Sequence, residues 1–204
     1  MKLLETTTDT YRIEIEGKEH VYPRVTSILS VVRDLSAISP ERLAHAAERG
    51  RAVHRAVWLL EAGGDGSGLD WKSVHPDLVP YLTAYQAFKT GTGCRILQKE
   101  KLVVSTRYQY AGRADLLVEG IGKSHDLLDI KTGLPDPSHA LQLAAYTEAY
   151  REGVNTKRTY GRLILYLRDN GTYRLDRCEG QQDFAVFLAC AQVYRWKQAQ
   201  GETI

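Results

Sequence analysis

The chain has 204 residues, 43% hydrophobic and 25% charged, the make-up of an ordinary globular protein long enough to bury a core without covalent staples. A disordered or coiled-coil protein is excluded. The formal net charge is only +2, from 27 basic and 25 acidic residues, so any contact with a polyanion has to come from local patches.

MKLLETTTDT at the N-terminus turns polar too early for a signal peptide, and no apolar run approaches the ~20 residues of a membrane span. Cys94, Cys178 and Cys190 form no CxxC pair, which argues against a disulfide framework or a zinc ribbon. One domain, residues 1–204, in a reducing cytoplasm and away from membranes is expected. Along the chain, Tyr11 to Tyr22 reads as a hairpin turning at Glu16-Gly17-Lys18. Thr26 or Ser27 is expected to cap a short helix through Val32. Ser39 and Pro40 open a long helix whose apolar positions include Leu43, Ala46, Ala47, Val53, Val57 and Leu60, closed by Gly63-Gly64. The segment 63–70 reads as a plain loop, since Leu69 and Asp70 fall where a calcium loop needs a ligand and a glycine. Pro76 to Lys89 is the next helix, stopped by Gly91-Thr92-Gly93.

Strands follow at Leu97–Ser105, Tyr108–Glu119 and Asp126–Lys131, then a helix at Ser138–Arg151. A strand at Tyr160–Arg168, a turn at Asp169-Asn170-Gly171, a strand at Thr172–Asp176 and an amphipathic helix at Asp183–Gln198 complete the chain. This order of helix, three strands, helix and strand predicts an α/β fold, a mixed sheet flanked by helices. The helix between the strands at 126–131 and 160–168 is long enough for a parallel crossover.

The chemistry concentrates in the hairpin formed by Tyr110–Asp115 and Asp126–Lys131. Its turn, residues 120–124, centres near 122, and opposed residues in an antiparallel pair have numbers summing to twice the centre, here 244. Asp115 and Asp129 satisfy that sum, so they should face one another, with Lys131 two residues on and on the same face. Leu116, Leu128 and Ile130 fill the other face, which buries these strands. Opposed carboxylates repel, and a pair so placed is expected to need a cation; hard oxygen ligands suit Mg²⁺ or Mn²⁺. Lys131 is placed to orient or deprotonate an attacking water, the equipment of phosphodiester hydrolysis. A structural ion pair of Lys131 or Arg113 with one of the aspartates is the alternative.

Four segments, in order, resemble the RecB-like branch of the PD-(D/E)XK nuclease superfamily. They are Arg49-Gly50-Arg51-Ala52-Val53-His54, Tyr110-Ala111-Gly112-Arg113-Ala114-Asp115, Leu128-Asp129-Ile130-Lys131-Thr132-Gly133 and Gln142 to Tyr146. Each alone is weak and together they are specific. They cover residues 49–146, and the resemblance does not extend clearly to 155–204. It implies a restriction-endonuclease-like fold. It also implies a divalent-metal-dependent deoxyribonuclease, with Asp115, Asp129 and Lys131 catalytic. Metal would be held by Asp115, Asp129 and the carbonyl of Ile130, with His54 and Glu100 as further ligands. Glu100 lies in a charged Lys-Glu-Lys run, where a surface ion pair is an equal reading. Gln142 and Tyr146, four apart on one helix face, would steady Lys131 or contact DNA. Arg51 and Arg113 are candidates for phosphate contacts. Trp58, Trp71 and Trp196 read as packing residues.

Members of this branch that carry an iron–sulfur cluster use four cysteines; three badly spaced ones imply none here. The branch is rich in exonucleases, so action on the ends of single- or double-stranded DNA in replication, recombination or repair is expected. The compact size points to a free-standing enzyme of phage or mobile-element type. An endonuclease or flap nuclease, or a DNA-binding or assembly protein that keeps the fold without turnover, are the alternatives.

Overall fold

In the computed structural model, residues 1–34, 36–62, 68–122 and 125–202 are described. The Gly63-Gly64 helix stop, most of the 63–70 loop and the end of the 120–124 turn lie outside them. An N-terminal three-stranded antiparallel sheet is built from β1 (Lys2–Thr6), β2 (Thr10–Ile15) and β3 (Lys18–Pro23), in that order. The expected hairpin is β2–β3; β1 is an additional strand with weak alternation in its sequence. The short helix that follows, α1 (Val25–Ile28), runs on as a 3₁₀ turn to Val32. Neither Thr26 nor Ser27 caps it. Arg24 stands at the cap position without a side-chain bond, because β3 runs straight into the helix and leaves both residues inside it.

α2 (Pro40–Leu60) starts as expected. Ser39 accepts the amide of Arg42 and Pro40 occupies the first turn. Val53, Val57 and Leu60 recur on one face and are buried. Ala46 and Ala47, expected on that face, are exposed. The first turns extend beyond the core, and alanines there lose little area while keeping helix propensity high. α3 (Val79–Thr92) carries through Gly91 and ends at Gly93, whose φ of 61° is the left-handed cap that glycine accepts most readily.

The main sheet has the order β4 (Arg95–Ser105), β5 (Tyr110–Glu119), β6 (His125–Lys131), β7 (Gly161–Leu167), β8 (Tyr173–Arg177). Every pair is antiparallel except β6–β7, which α4 (Ser138–Gly153) joins as the predicted parallel crossover. β5 begins at Tyr110 rather than Tyr108, because Gln109 takes a positive φ of 55° in the turn before it. α2 and α3 cover one face, packing Val57, Leu82 and Phe88 on Leu116, Leu128 and Ile130. α4 and α5 (Asp183–Ala199) cover the other, packing Tyr146, Ala149 and Phe187 on Leu117 and Leu127. Each fully buried side chain of this size contributes roughly 1.5–3 kcal/mol.

The N-terminal sheet rests on β4–β5 through Tyr11, Ile13, Tyr22, Val104 and Ala111, with one parallel bridge between Arg24 and Ala111. No helix among the described residues is long and apolar enough to cross a membrane.

Candidate active site

The β5–β6 ladder holds Leu116 opposite Leu128, Leu117 opposite Leu127, Val118 opposite Asp126 and Glu119 opposite His125. This is the register read from the turn centre, and it sets Asp115 across from Asp129. The ladder stops one residue short of them. There the Ile130 amide donates to Asp115 Oδ2 at 2.7 Å in place of a backbone carbonyl. The two strands therefore part, and a carboxylate is built into the opening.

On the other side of β5, Lys99 faces Leu116 and Lys101 faces Ala114, which brackets Glu100 against Asp115. Glu100 has a φ of 48°, a region costly for a side chain other than glycine, and this tips it out of the ladder. From α2, His54 reaches between the strands. Its Nδ1 lies 3.3 Å from Asp115 Oδ1 and 3.9 Å from Glu100 Oε1, and its Nε2 is 3.0 Å from the Ile130 carbonyl. Asp129, 1% exposed, turns to other partners. Lys131 Nζ lies 2.6 Å from Asp129 Oδ2 and donates to Gln142 Oε1 at 3.0 Å. The Gln142 amide donates to Asp129 Oδ1 at 3.2 Å and to the Tyr146 hydroxyl at 2.9 Å.

The expectation of two bare carboxylates is thereby corrected. Asp115 is held by His54 and a backbone amide; Asp129 accepts from Gln142 at Oδ1, while its buried Oδ2 has the Lys131 charge beside it but no hydrogen bond. The charges follow from this division. Burial alone would raise Asp115, but His54, Lys131 and the Ile130 amide bring it below the usual carboxylate range. Burial pushes Asp129 up to about 6, against the pull of Lys131 and with the charge of Asp115 adding to the rise. Burial opposes a charged His54, and Asp115 and Glu100 outweigh it, so the imidazole holds its proton well above the ordinary value.

The four sequence segments each have a physical task. Arg49 donates to the Thr132 carbonyl at 3.3 Å and lies over the Tyr81 ring, tying α2 to the end of β6. Val53 anchors the helix in the core while His54 faces the opening. Tyr110 is fully buried and donates to the Ala145 carbonyl at 2.9 Å, which fixes α4 on β5. Gly112 leaves room for the Tyr146 ring: a Cβ there would overlap Cε1 and lie 3.0 Å from Cδ1.

Gly112→Ala is therefore expected to destabilise the protein by about 1–3 kcal/mol and to displace Tyr146 from Gln142. Urea melts of Gly112→Ala, Tyr146→Ala and the double variant check this. The double variant should melt close to Tyr146→Ala alone, because the overlap is then gone. Strict additivity would mean that the glycine serves another purpose.

The acidic groups open into a cleft of about 650 Å³. α2 supplies Gly50, Arg51, His54, Arg55 and Trp58, and the sheet supplies Glu100, Arg113 and Asp115. Arg51 is exposed. Arg113 Nε lies 3.8 Å from Glu100 Oε2, so Glu100 is both an ion-pair partner and part of the site. Tyr11 and Arg24 of the N-terminal region close the far wall. That wall has no signature in the sequence. All three tryptophans depart from the packing assignment, Trp58 and Trp71 at 37% exposed and Trp196 at 59%, and Trp58 lines the cleft. Its place four residues after His54, on the same helix face, is the signal that would have found it.

PD-(D/E)XK nucleases use divalent metals, and the donor set here suits one. Ligand atoms of His54, Glu100 and Asp115 all lie within 4.8 Å of one another, two carboxylate oxygens and an imidazole nitrogen. Asp129 stands next to this group with its oxygens toward Lys131 and Gln142.

A mixed sheet that parts around buried carboxylates and a lysine is the arrangement of a metal-dependent nuclease fold. The sequence profile of the PD-(D/E)XK nuclease superfamily matches residues 25–200, and the chain belongs to that superfamily. No curated protein matches the chain. Among solved structures it is similar to SSO0001, at 18% identity and a TM-score of 0.42, over 90% of this chain and 78% of that one. It is also similar to an alkaline exonuclease from Laribacter hongkongensis, at 13% identity and a TM-score of 0.41, over 88% of this chain and 93% of that one.

Proposed function

We propose that this protein is a deoxyribonuclease of the RecB-like type that hydrolyses DNA phosphodiester bonds from ends, as one domain working with Mg²⁺ or Mn²⁺. The observation that carries the reading is the meeting of His54, Glu100 and Asp115 on an open cleft lined by arginines, with the buried Asp129–Lys131 pair next to them where β5 and β6 part.

Asp115, Glu100 and His54, which would give up its Nδ1 proton on binding, would hold one divalent ion, and Asp129 with the Ile130 carbonyl would complete the site for two. Bound there, the ions would lower the pKa of the attacking water and offset charge on the leaving oxygen. The chain's own groups do the rest. Lys131 is fixed between Asp129 and Gln142, and its ammonium points a hydrogen-bond donor at the attacking water. Gln142 holds that ammonium and is itself held by Tyr146. Arg51 and Arg113, both on the cleft lining, would contact phosphates of the substrate.

The test is incubation with end-labelled linear and closed circular DNA in Mg²⁺, Mn²⁺ or EDTA. Linear DNA degraded with circular DNA spared supports an exonuclease. Cutting of the circle supports an endonuclease, and binding without cutting supports a protein that has lost turnover.

His54 gives a sharper check. His45 and His54 are nine residues apart on α2, half a turn out of phase, and His45 is exposed on the other side. His54→Ala should lower metal-dependent cleavage by at least about tenfold, the order seen for groups in and around a metal site. His45→Ala should leave it unchanged. Equal losses would make the effect of the histidine structural.

A further inference from the structure

The active cleft has a neighbour. A second cleft of about 590 Å³ runs along the edge strand β4 and is lined by Arg95, Gln98 and Lys99 and by Lys89 with its ion-pair partner Glu61. Trp58 lines both clefts, so its indole is the wall they share.

Three observations bear on what this wall meets. Trp58 is 37% exposed although its helix packs on the core. Two cations lie over its ring, the Arg55 guanidinium at 5.1 Å and the Lys99 ammonium at 5.5 Å from the centroid. Lys99 is anchored on the Glu61 carbonyl at 2.9 Å, which fixes its charge beside the ring. Beyond it on β4, the Arg95 side chain is 72% exposed and pairs with Glu119. From Glu100 back to Arg95 the strand spans about 16 Å at ~3.3 Å per residue.

We propose that this is the path of a single DNA strand leading to or from the site. One base displaces the exposed Arg55 guanidinium from the Trp58 face and stacks there, and the phosphates next to it meet Arg55 and Lys99, then Arg95. A flat aromatic face beside cations, repeated by a cation farther along a groove, is how a polynucleotide is held without reading its sequence. Within a paired duplex each internal base is covered on both faces by its neighbours, so away from an end only an unpaired strand can lay a base on the indole. The inference rests on the nuclease reading and adds the form of the substrate near the site.

The experiment uses the full-length protein in EDTA with a fluorescein-labelled oligo(dT) of about 20 nucleotides. Trp58 is one of three tryptophans. In the Trp71→Phe/Trp196→Phe variant it is the only indole, and oligo(dT) should quench its emission. Trp58→Ala should weaken binding at least about fivefold, the lower end of the loss of one base–aromatic stack. Trp58→Phe should stay within about twofold of wild type, since it keeps an aromatic face. Arg95→Ala with Lys99→Ala should make the plot of log affinity against log salt shallower by about 1.4, or ~0.7 for each lost phosphate contact on a single strand.

Binding of oligo(dT) with no change in Trp58 emission overturns the path and leaves the nuclease reading standing. So does an equal loss for blunt duplex and oligo(dT) on Trp58→Ala, or quenching by oligo(rU) alone. A wild-type protein that neither binds nor cleaves any DNA overturns both.

Discussion

Lys131→Ala is expected to lower DNA cleavage by at least about 10²–10³-fold, the scale on which one electrostatic group at a reacting centre acts. The ammonium is held at 2.6 Å from Asp129 and 3.0 Å from Gln142, and no other cation among the described residues stands in that place. Folding should survive the change. Removing one partner of a buried ion pair is costly when the other must stay charged. Asp129, however, already holds its proton up to about 6, and it keeps the Gln142 amide as a donor, so it answers by taking up a proton. Lys131→Arg is expected to fail nearly as badly. A planar fork five donors wide cannot sit in a seat shaped by one carboxylate oxygen and one amide oxygen around a compact ammonium. Asp129→Ala should match Lys131→Ala, because it removes both a metal-ligand candidate and the group that aims the lysine. Initial rates on end-labelled DNA at saturating Mn²⁺, with circular-dichroism melts alongside, check all three. Full activity in any of them would remove Asp129 and Lys131 from the chemistry.

The register of the central hairpin was legible in the sequence because it depends on one local quantity, the centre of the turn. Every ladder pair from Leu116–Leu128 to Glu119–His125 obeys it. The helix start at Ser39 was legible for the same reason: a cap acts within one turn. What was not legible depends on contacts distant in sequence. The left-handed backbone at Glu100 lies where β4 passes Asp115, and no glycine or asparagine marks it. Arg24 reaches the cleft only because the N-terminal sheet docks on Val104 and Ala111. Alternation along β5 and β6 indicated that Asp115 and Asp129 share a face. It could not indicate that β5 and β6 part there, nor that His54 and Lys131 would each take one carboxylate. That division turns a repelling couple into two ion pairs, and it reverses the sign of an expected stability change.

Asp115→Asn is the substitution that exposes the reversal. If the carboxylates merely repelled, deleting one charge would stabilise the protein in EDTA. The structure gives the opposite expectation. Asp115 accepts the Ile130 amide at 2.7 Å and faces the His54 imidazolium at 3.3 Å, and an asparagine keeps the first acceptor without the charge that the second needs. Losing a charge-assisted bond in a buried site costs about 1–3 kcal/mol, and for a chain of this length each kcal/mol moves the melting temperature by about 2–4 °C. The variant should therefore melt below wild type at neutral pH. The acid side fixes the sign. Asp115 titrates below its ordinary value, so the stability it contributes is present above the unfolded pKa of about 4 and is lost as the pH falls through the lower folded one. The gap between wild type and variant should accordingly shrink below pH 4. Excess Mn²⁺ should widen it at neutral pH. A ligand bound only by the native state adds about 2.7 kcal/mol at one hundred times Kd, and the variant lacks one of the three donor groups that converge on the site. Thermal melts of both proteins in EDTA and in excess Mn²⁺, at neutral pH and near pH 3.5, measure every term. A variant that melts higher than wild type in EDTA would restore the repelling pair and leave His54 as a bystander.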